Sequence, residues 1–309
     1  MTKSIESYLA EVLLETNDIA ERVFTLFPLR DLISLASCSK LLRSSFHARL
    51  AVQGFRSIEH RLDCDPQDLQ EVLVNTYALI TGNTCLEVLG LIGTDKRSTT
   101  DMLVPLDNVG DLEKFLVGRG FKRAHSSYES VASATVYLYQ HRRLPSVSIT
   151  AAPSDKFWLA FLRFRGTMSA LFMSATSVFV LYPELTFERM NLMRNTSVHL
   201  VSEHDNYHVE ASRLGFCSFR HNGFDEPADA LRSCPGPIRI LRGANGIAAL
   251  PWAELPYKLS QYQDYFRSAY KRGFSDNFFS CGWQFATCSD DWCDYRRLMS
   301  VPGLDGPLV

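Results

Sequence analysis

Apolar positions recur at helical spacing in the first part of the chain and give way to short apolar runs after it. Ile19, Val23, Phe24 and Phe27 share one face behind Asn17, a residue suited to capping a helix. Pro28 closes that pattern, and Leu29, Leu32, Ile33 and Ala36 begin a second stripe. Ser37 or Ser39 can cap a third helix with Leu41, Leu42, Phe46 and Leu50 inward. Three short helices with tight turns predict a small antiparallel unit. Asp65-Pro66 then starts a linker helix, Asp as cap and Pro at the first position, with Leu69, Val72 and Leu73 on its apolar face. A domain boundary is expected between Leu62 and Asp65.

The stretch from Tyr77 to Gly120 changes period. Tyr77–Ile80 is a short apolar run ending at Thr81-Gly82 and predicts a buried strand. Asn83 and Thr84 can cap a helix carrying Leu86, Leu89 and Leu91. After a polar loop, Asp101–Leu106 predicts a second strand beside the first. Val109–Gly120 predicts a further helix through Leu112, Phe115 and Leu116, with Gly118 and Gly120 as stop signals. Strand, helix, strand, helix is an α/β unit.

Beyond Phe121 the polar run KRAHSSYES predicts a loop. Val131–Gln140, rich in Val, Thr and Tyr, and Ser146–Ala152 predict a strand hairpin around His141–Pro145. Lys122, Arg123, Arg142 and Arg143 are basic enough to cradle a phosphate, but a few loop cations are ordinary solvated surface. Met168–Tyr182 is nearly apolar, yet interrupted by serines and a threonine, and shorter than the ~20 residues a bilayer requires. It is expected to be a core strand or helix.

Composition narrows the function classes. The formal charge is −2 and no basic block stands out, so nucleic acid is not an expected partner. Glu6 and Glu11 interrupt Met1–Leu14, which does not have the pattern of a secretory signal. The 8 cysteines lack regular close spacing and fit free thiols in a reducing compartment, cytoplasmic or nuclear. His204 and His208 stand at i, i+4 without a third ligand at a fixed offset. Cys281, Cys288 and Cys293, even with Cys217 or Cys234, do not form the paired spacing of a zinc site. No metal or cofactor is expected, and no nucleophile elbow, Walker loop or His-Glu-x-x-His motif occurs.

Thr81-Gly82-Asn83 followed by Asp101-Met102-Leu103-Val104 resembles the nucleotidyltransferase fold of the polymerase-beta type, most closely its degenerate copies in fungal F-box-like proteins. The resemblance implies a degenerate nucleotide site at Gly82, Asn83 and Asp101. The family places a small phosphate-contacting residue where Asn83 stands, and a second metal carboxylate where Leu103 stands. Two-metal phosphoryl transfer needs carboxylates converging on ions about 3.5–4 Å apart. On a strand, residues i and i+2 share a face about 7 Å apart, which suits Asp-x-Asp. Asp107 lies roughly 20 Å further along by the same rise. No acid occurs between Glu129 and Asp155, where the third family carboxylate would fall. The fold is expected without its metals. Met168–Arg189 is similar to a family segment in which a helix follows the last strand and a Tyr-Pro-x-x-Thr-Phe turn, here Tyr182–Phe187, follows the helix.

Phe27-Pro28-Leu29-Arg30-Asp31-Leu32 resembles the turn of an F-box, within a match of about forty residues over which the helical spacing also agrees. Glu15-Thr16 replaces the family's usual Leu-Pro. The resemblance implies docking on a Skp-type adaptor of a cullin ubiquitin ligase through Leu14, Pro28, Leu29, Leu32 and Ile33. The expected architecture is α+β: an F-box-like helical unit over residues 1–62, a nucleotidyltransferase-like mixed sheet with flanking helices over 63–200, and a C-terminal extension over 201–309. The expected function is a non-enzymatic interaction adaptor that presents a protein client, with no membrane partner. The alternative is a nucleotide-binding protein or active nucleotidyltransferase using Asp101.

Overall fold

A computed structural model describes residues 27, 29–38, 40–94, 98–129, 133–154, 157, 160, 166–193, 209–220, 239–240, 248–252 and 282–283. Helix α1 spans Leu29–Cys38 and α2 spans Lys40–Leu62. Leu29, Leu32 and Ala36 are buried along α1, and Phe46, Leu50, Ile58 and Leu62 along α2. Helix α2 runs past the third helix expected from the apolar stripe. Gly54 in its middle lies against Trp252: a Cβ there would stand 2.9 Å from the indole Cε3. The Phe55 ring meets the same indole edge-on, with centroids 5.9 Å apart. The expected helix behind Asn17 lies outside the described residues except for Phe27, which is in a bend.

Helix α3 spans Pro66–Thr76 and starts as expected, with Asp65 accepting a hydrogen bond from the Gln67 amide at 2.7 Å. Tyr77 takes the left-handed conformation, φ 54°, and closes the helix. That turn delays the first strand, β1, to Leu79–Thr81. The next elements are α4 (Asn83–Val88), β2 (Thr100–Pro105), α5 (Val109–Gly118), β3 (Lys122–Glu129), β4 (Ala134–Gln140) and β5 (Val147–Ala152). They are followed by β6 (Leu171–Met173), β7 (Ser177–Val180), α6 (Pro183–Phe187), β8 (Met190–Met193) and β9 (Cys217–Arg220), then β10 (Arg239–Ile240), β11 (Ala248–Pro251) and β12 (Gly282–Trp283).

One mixed sheet of 8 strands organises the fold, in the order β11-β7-β6-β1-β2-β5-β4-β3. Strands β2 and β5 are parallel, and the other neighbours in this sheet are antiparallel. Helix α5 and the β3–β4 hairpin make the crossover between β2 and β5. Alternation along the strands separates two faces. Ile80, Met102, Val104, Ile149 and Ala151 join the main core with the buried faces of α1, α2 and α3. That core is continuous across residues 62–65 and reaches Trp252. Leu79, Leu103 and Phe172 are buried on the other face, where Phe172 and Phe179 stack at 4.7 Å. The chain is mixed α and β with a mostly antiparallel sheet, and among the described residues no helix is long and apolar enough to cross a membrane.

Two expectations are corrected. The polar run after Phe121 is strand β3, not a loop. It is the outermost strand in the sheet order, and its residues from Lys122 to Tyr128 are exposed, so no buried face imposes a period-2 apolar pattern. The apolar segment before Tyr182 is the β6–β7 hairpin, the strand of the two alternatives its composition left open and not the helix that the family resemblance implies. Ser174 fixes its bend, its hydroxyl accepting from the amides of Thr176 at 3.4 Å and Ser177 at 3.2 Å. Pro183-Glu184-Leu185-Thr186-Phe187 then forms the short helix α6, with Tyr182 at its N-cap and Pro183 at its first position.

Candidate functional site

The pairing of β1 with β2 places Thr81 opposite Asp101. The chain then turns at Gly82, φ +68° and ψ −143°. A Cβ on Gly82 would stand 3.0 Å from Oδ2 of Asp101. Glycine is therefore required twice: by the backbone angle and by the carboxylate beside it. Gly82 itself occupies the N-cap of α4 and supplies no side-chain cap. Asn83 is the first helical residue, not the expected cap. Its Nδ2 donates to Oε1 of Glu210 at 3.0 Å. Glu210 belongs to a helical turn at residues 209–213, and its neighbour Ala211 is packed into the main core. The structure thus brings Gly82 and Asn83 to the Asp101 end of β2. It adds a second acid that no local spacing signals, because Asn83 and Glu210 are 127 positions apart.

Electrostatics separate this site from an ordinary surface carboxylate. Burial first, and then the negative charge of Glu210, push the Asp101 carboxyl up to about 6, against the pull of Arg61. Cys85 lies fully buried on α4, its thiol donating to the Ile80 carbonyl at 3.3 Å. Burial, reinforced by the charge of Asp101, raises the Cys85 thiol far above its usual range. It stays protonated and is no nucleophile.

Arg61, at the end of α2, forms the rigid support. Its guanidinium makes a two-point contact with Glu87, Nε to Oε2 at 2.9 Å and Nη2 to Oε1 at 2.5 Å. Both side chains are 1% exposed. The same guanidinium donates to the Ser98 carbonyl at 2.8 Å, the Ser98 hydroxyl at 2.6 Å and the Thr100 hydroxyl at 3.3 Å. One buried cation therefore ties α2, α4 and the entry to β2, and is held by a planar fork matched to the carboxylate.

Among the described residues, those around Asp101 do not form the metal-binding constellation of phosphoryl transfer. Leu103, two positions along β2, is 4% exposed. On the parallel neighbour β5, Ser148 stands opposite Asp101 and Thr150 opposite Leu103. Among the described residues, no group of three or more His, Cys, Asp or Glu side chains is placed to hold a metal ion. What remains is a pair of acids, Asp101 and Glu210, with one amide donor. The arrangement can take up a proton near pH 6 and can orient a polar group.

The other expected sites are placed as follows. Leu29 and Leu32 are buried in the chain's own core, and Ile33 packs on it. Leu14 and Pro28 lie outside the described residues. Arg30 is exposed and pairs with Glu188 at 2.6 Å, while Phe27 and Leu35 are the exposed apolar residues of this region. Arg123 pairs with Glu113 at 3.0 Å and lies over the Tyr137 ring. Lys122, Arg142 and Arg143 are exposed. Cys217 is an exposed thiol, and His204, His208, Cys234, Cys281, Cys288 and Cys293 lie outside the described residues. No family model matches the chain, and neither a curated protein nor a solved structure matches it.

Proposed function

We propose that the chain is an interaction adaptor of the cell interior, an F-box-like protein that presents a protein client to a Skp-cullin ubiquitin ligase on a catalytically inactive nucleotidyltransferase-like sheet. The observation that carries the inactive reading is Leu103. An aliphatic side chain fills the β2 position where a second metal carboxylate would be needed, and Ser148 and Thr150 on β5 offer hydroxyls in place of acids. The glycine turn facing a strand carboxylate, Gly82 against Asp101, supports the likeness to that fold.

The helical hairpin supports the adaptor half of the reading in a modified form. Leu29 and Leu32 are committed to the chain's own core, which leaves Phe27, Leu35 and the exposed part of α1 as the face for an adaptor. Co-purification with a Skp-type adaptor tests this. The adaptor is expected to follow the wild type and to be lost from Phe27→Asp and Leu35→Asp variants that keep the wild-type unfolding temperature. Absence of the adaptor from the wild-type preparation would defeat the proposal.

One observation favours a second reading. Glu210 supplies Asp101 with the acidic neighbour that the local sequence lacks. A nucleotide-binding role would run through Gly82, Asn83, Asp101 and Glu210, and magnesium dependence separates it from the first.

A further inference from the structure

Strand β3 ends the sheet beyond β4, and each of its residues from Lys122 to Tyr128 is exposed. Its outer row of backbone N–H and C=O groups has no strand neighbour among the described residues. Such an edge is a template for another extended segment. The ladder with β4 is irregular between Arg123 and His125, which leaves His125–Glu129 as its regular part.

The start of that edge is a basic corner. Lys122 pairs in register with Gln140, so the turn after β4 stands beside it. His141 fixes the turn: its Nδ1 accepts from the amides of Arg143 and Leu144, each at 3.1 Å. Its ring packs on Phe121 at 5.1 Å, and its Nε2 lies 3.2 Å from where a Cβ on Gly120 would be. The turn that carries Arg142 and Arg143 is thereby held beside the start of β3. The local acids are already engaged, Glu113 by Arg123 and Asp68 by Arg119. No acid among the described residues pairs with Lys122, Arg142 or Arg143. Three cations thus stand at this corner with no ion-pair partner among the described residues, in a chain whose formal charge is −2.

We infer that the β3 edge binds an acidic, extended peptide segment, which adds as a further strand with its acidic end on Lys122, Arg142 and Arg143. A lysine on an edge discourages neutral or basic strands, and the same charge selects an acidic one. The exposed Tyr128 ring is an apolar platform for a side chain of the incoming strand. This deepens the client-presenting reading and rests on it only for the partner's role. Peptide binding is measured without any adaptor, so its failure leaves adaptor co-purification standing.

The test is fluorescence anisotropy on the full chain with a labelled peptide of alternating glutamate and valine. Binding is expected, and is expected to weaken as salt shortens the Debye length from about 30 Å to about 8 Å. The triple variant Lys122→Glu, Arg142→Glu, Arg143→Glu should lose about tenfold or more in affinity with its unfolding temperature unchanged. Ser126→Pro and Ser127→Pro, made singly, test the strand geometry. Successive N–H groups on a strand point to opposite sides, so one of the two prolines removes an outward donor and the other a ladder bond to β4. The outward one should abolish binding and leave the fold intact. Absence of wild-type binding would overturn the inference, as would binding indifferent to both prolines. A concentration-dependent dimer lost in the outward proline variant would overturn it too, by assigning the edge to a second copy of the chain.

Discussion

At the scale of the residue, Asp101 is a carboxyl whose charge the fold disfavours. Its carboxyl titrates at about 6 in the folded chain against an ordinary 3.8. The folded state therefore holds this proton more tightly than the unfolded state does. The stabilising contribution is fully present below about pH 4 and is lost as pH rises through about 6. Asp101→Asn, which mimics the protonated form, is predicted to flatten this part of the stability profile. It should be more stable than wild type near pH 7.5 by on the order of 1–3 kcal/mol, and near-equal at about pH 4, in urea unfolding curves. Equal loss of stability with pH in both proteins would show that Asp101 is not the titrating group.

Gly82 and Glu87 are governed by contact geometry. Gly82→Ala meets both a positive φ and the Asp101 carboxylate at 3.0 Å, and is predicted to cost about 1–3 kcal/mol. Combining it with Asp101→Ala should recover the contact part of that loss, so the two changes will not add. Glu87→Gln leaves the Arg61 guanidinium buried beside a neutral partner, and about 3–5 kcal/mol is the expected loss. The Arg61→Met, Glu87→Leu double variant should lose less than Glu87→Gln alone, because the uncompensated charge is gone. Thermal or urea unfolding of the variants decides both cases.

At the scale of the element, α2 shows how packing overrides local preference. Alanine is favoured over glycine inside a helix by about 1 kcal/mol. Gly54→Ala is nonetheless predicted to destabilise, because its Cβ would lie 2.9 Å from a buried indole that also holds a hydrogen bond, Nε1 to the Ser174 carbonyl at 2.9 Å. A gain in unfolding temperature for Gly54→Ala would mean that Trp252 can move.

The same contrast decides which elements were legible in the sequence. Helix α3 was, because Asp65, Pro66 and the Leu69–Leu73 stripe all point the same way. So were β1, β2, α5 and the β4–β5 pair, each bounded by turn residues. Strand β3 was not, since an exposed edge strand leaves its side chains free to be polar on both faces. The β6–β7 hairpin was legible only as a core strand or helix. Strand β6 is buried on both sides and β7 is only four residues long, so the run has too little period to tell strand from helix, and the serines at its bend looked like interruptions. At the site, Gly82, Asn83 and Asp101 followed from a compact motif. Glu210 did not, because it arrives from a distant segment and is placed by tertiary packing alone.

At the scale of the whole molecule, the helical hairpin and the sheet share one core, and Arg61 fastens α2 to the strand that carries Asp101. The adaptor face proposed on α1 would then be joined to the sheet through that core, which would suit a chain that holds two proteins at a fixed separation. The proposal also requires the sheet to have no metal-dependent chemistry. The most direct test is calorimetric titration of the chain with a nucleoside triphosphate, with and without magnesium, alongside Asp101→Ala and Glu210→Ala. The account predicts no magnesium-dependent binding in any of the three proteins. Saturable binding that requires magnesium in the wild type and disappears in both variants would contradict it.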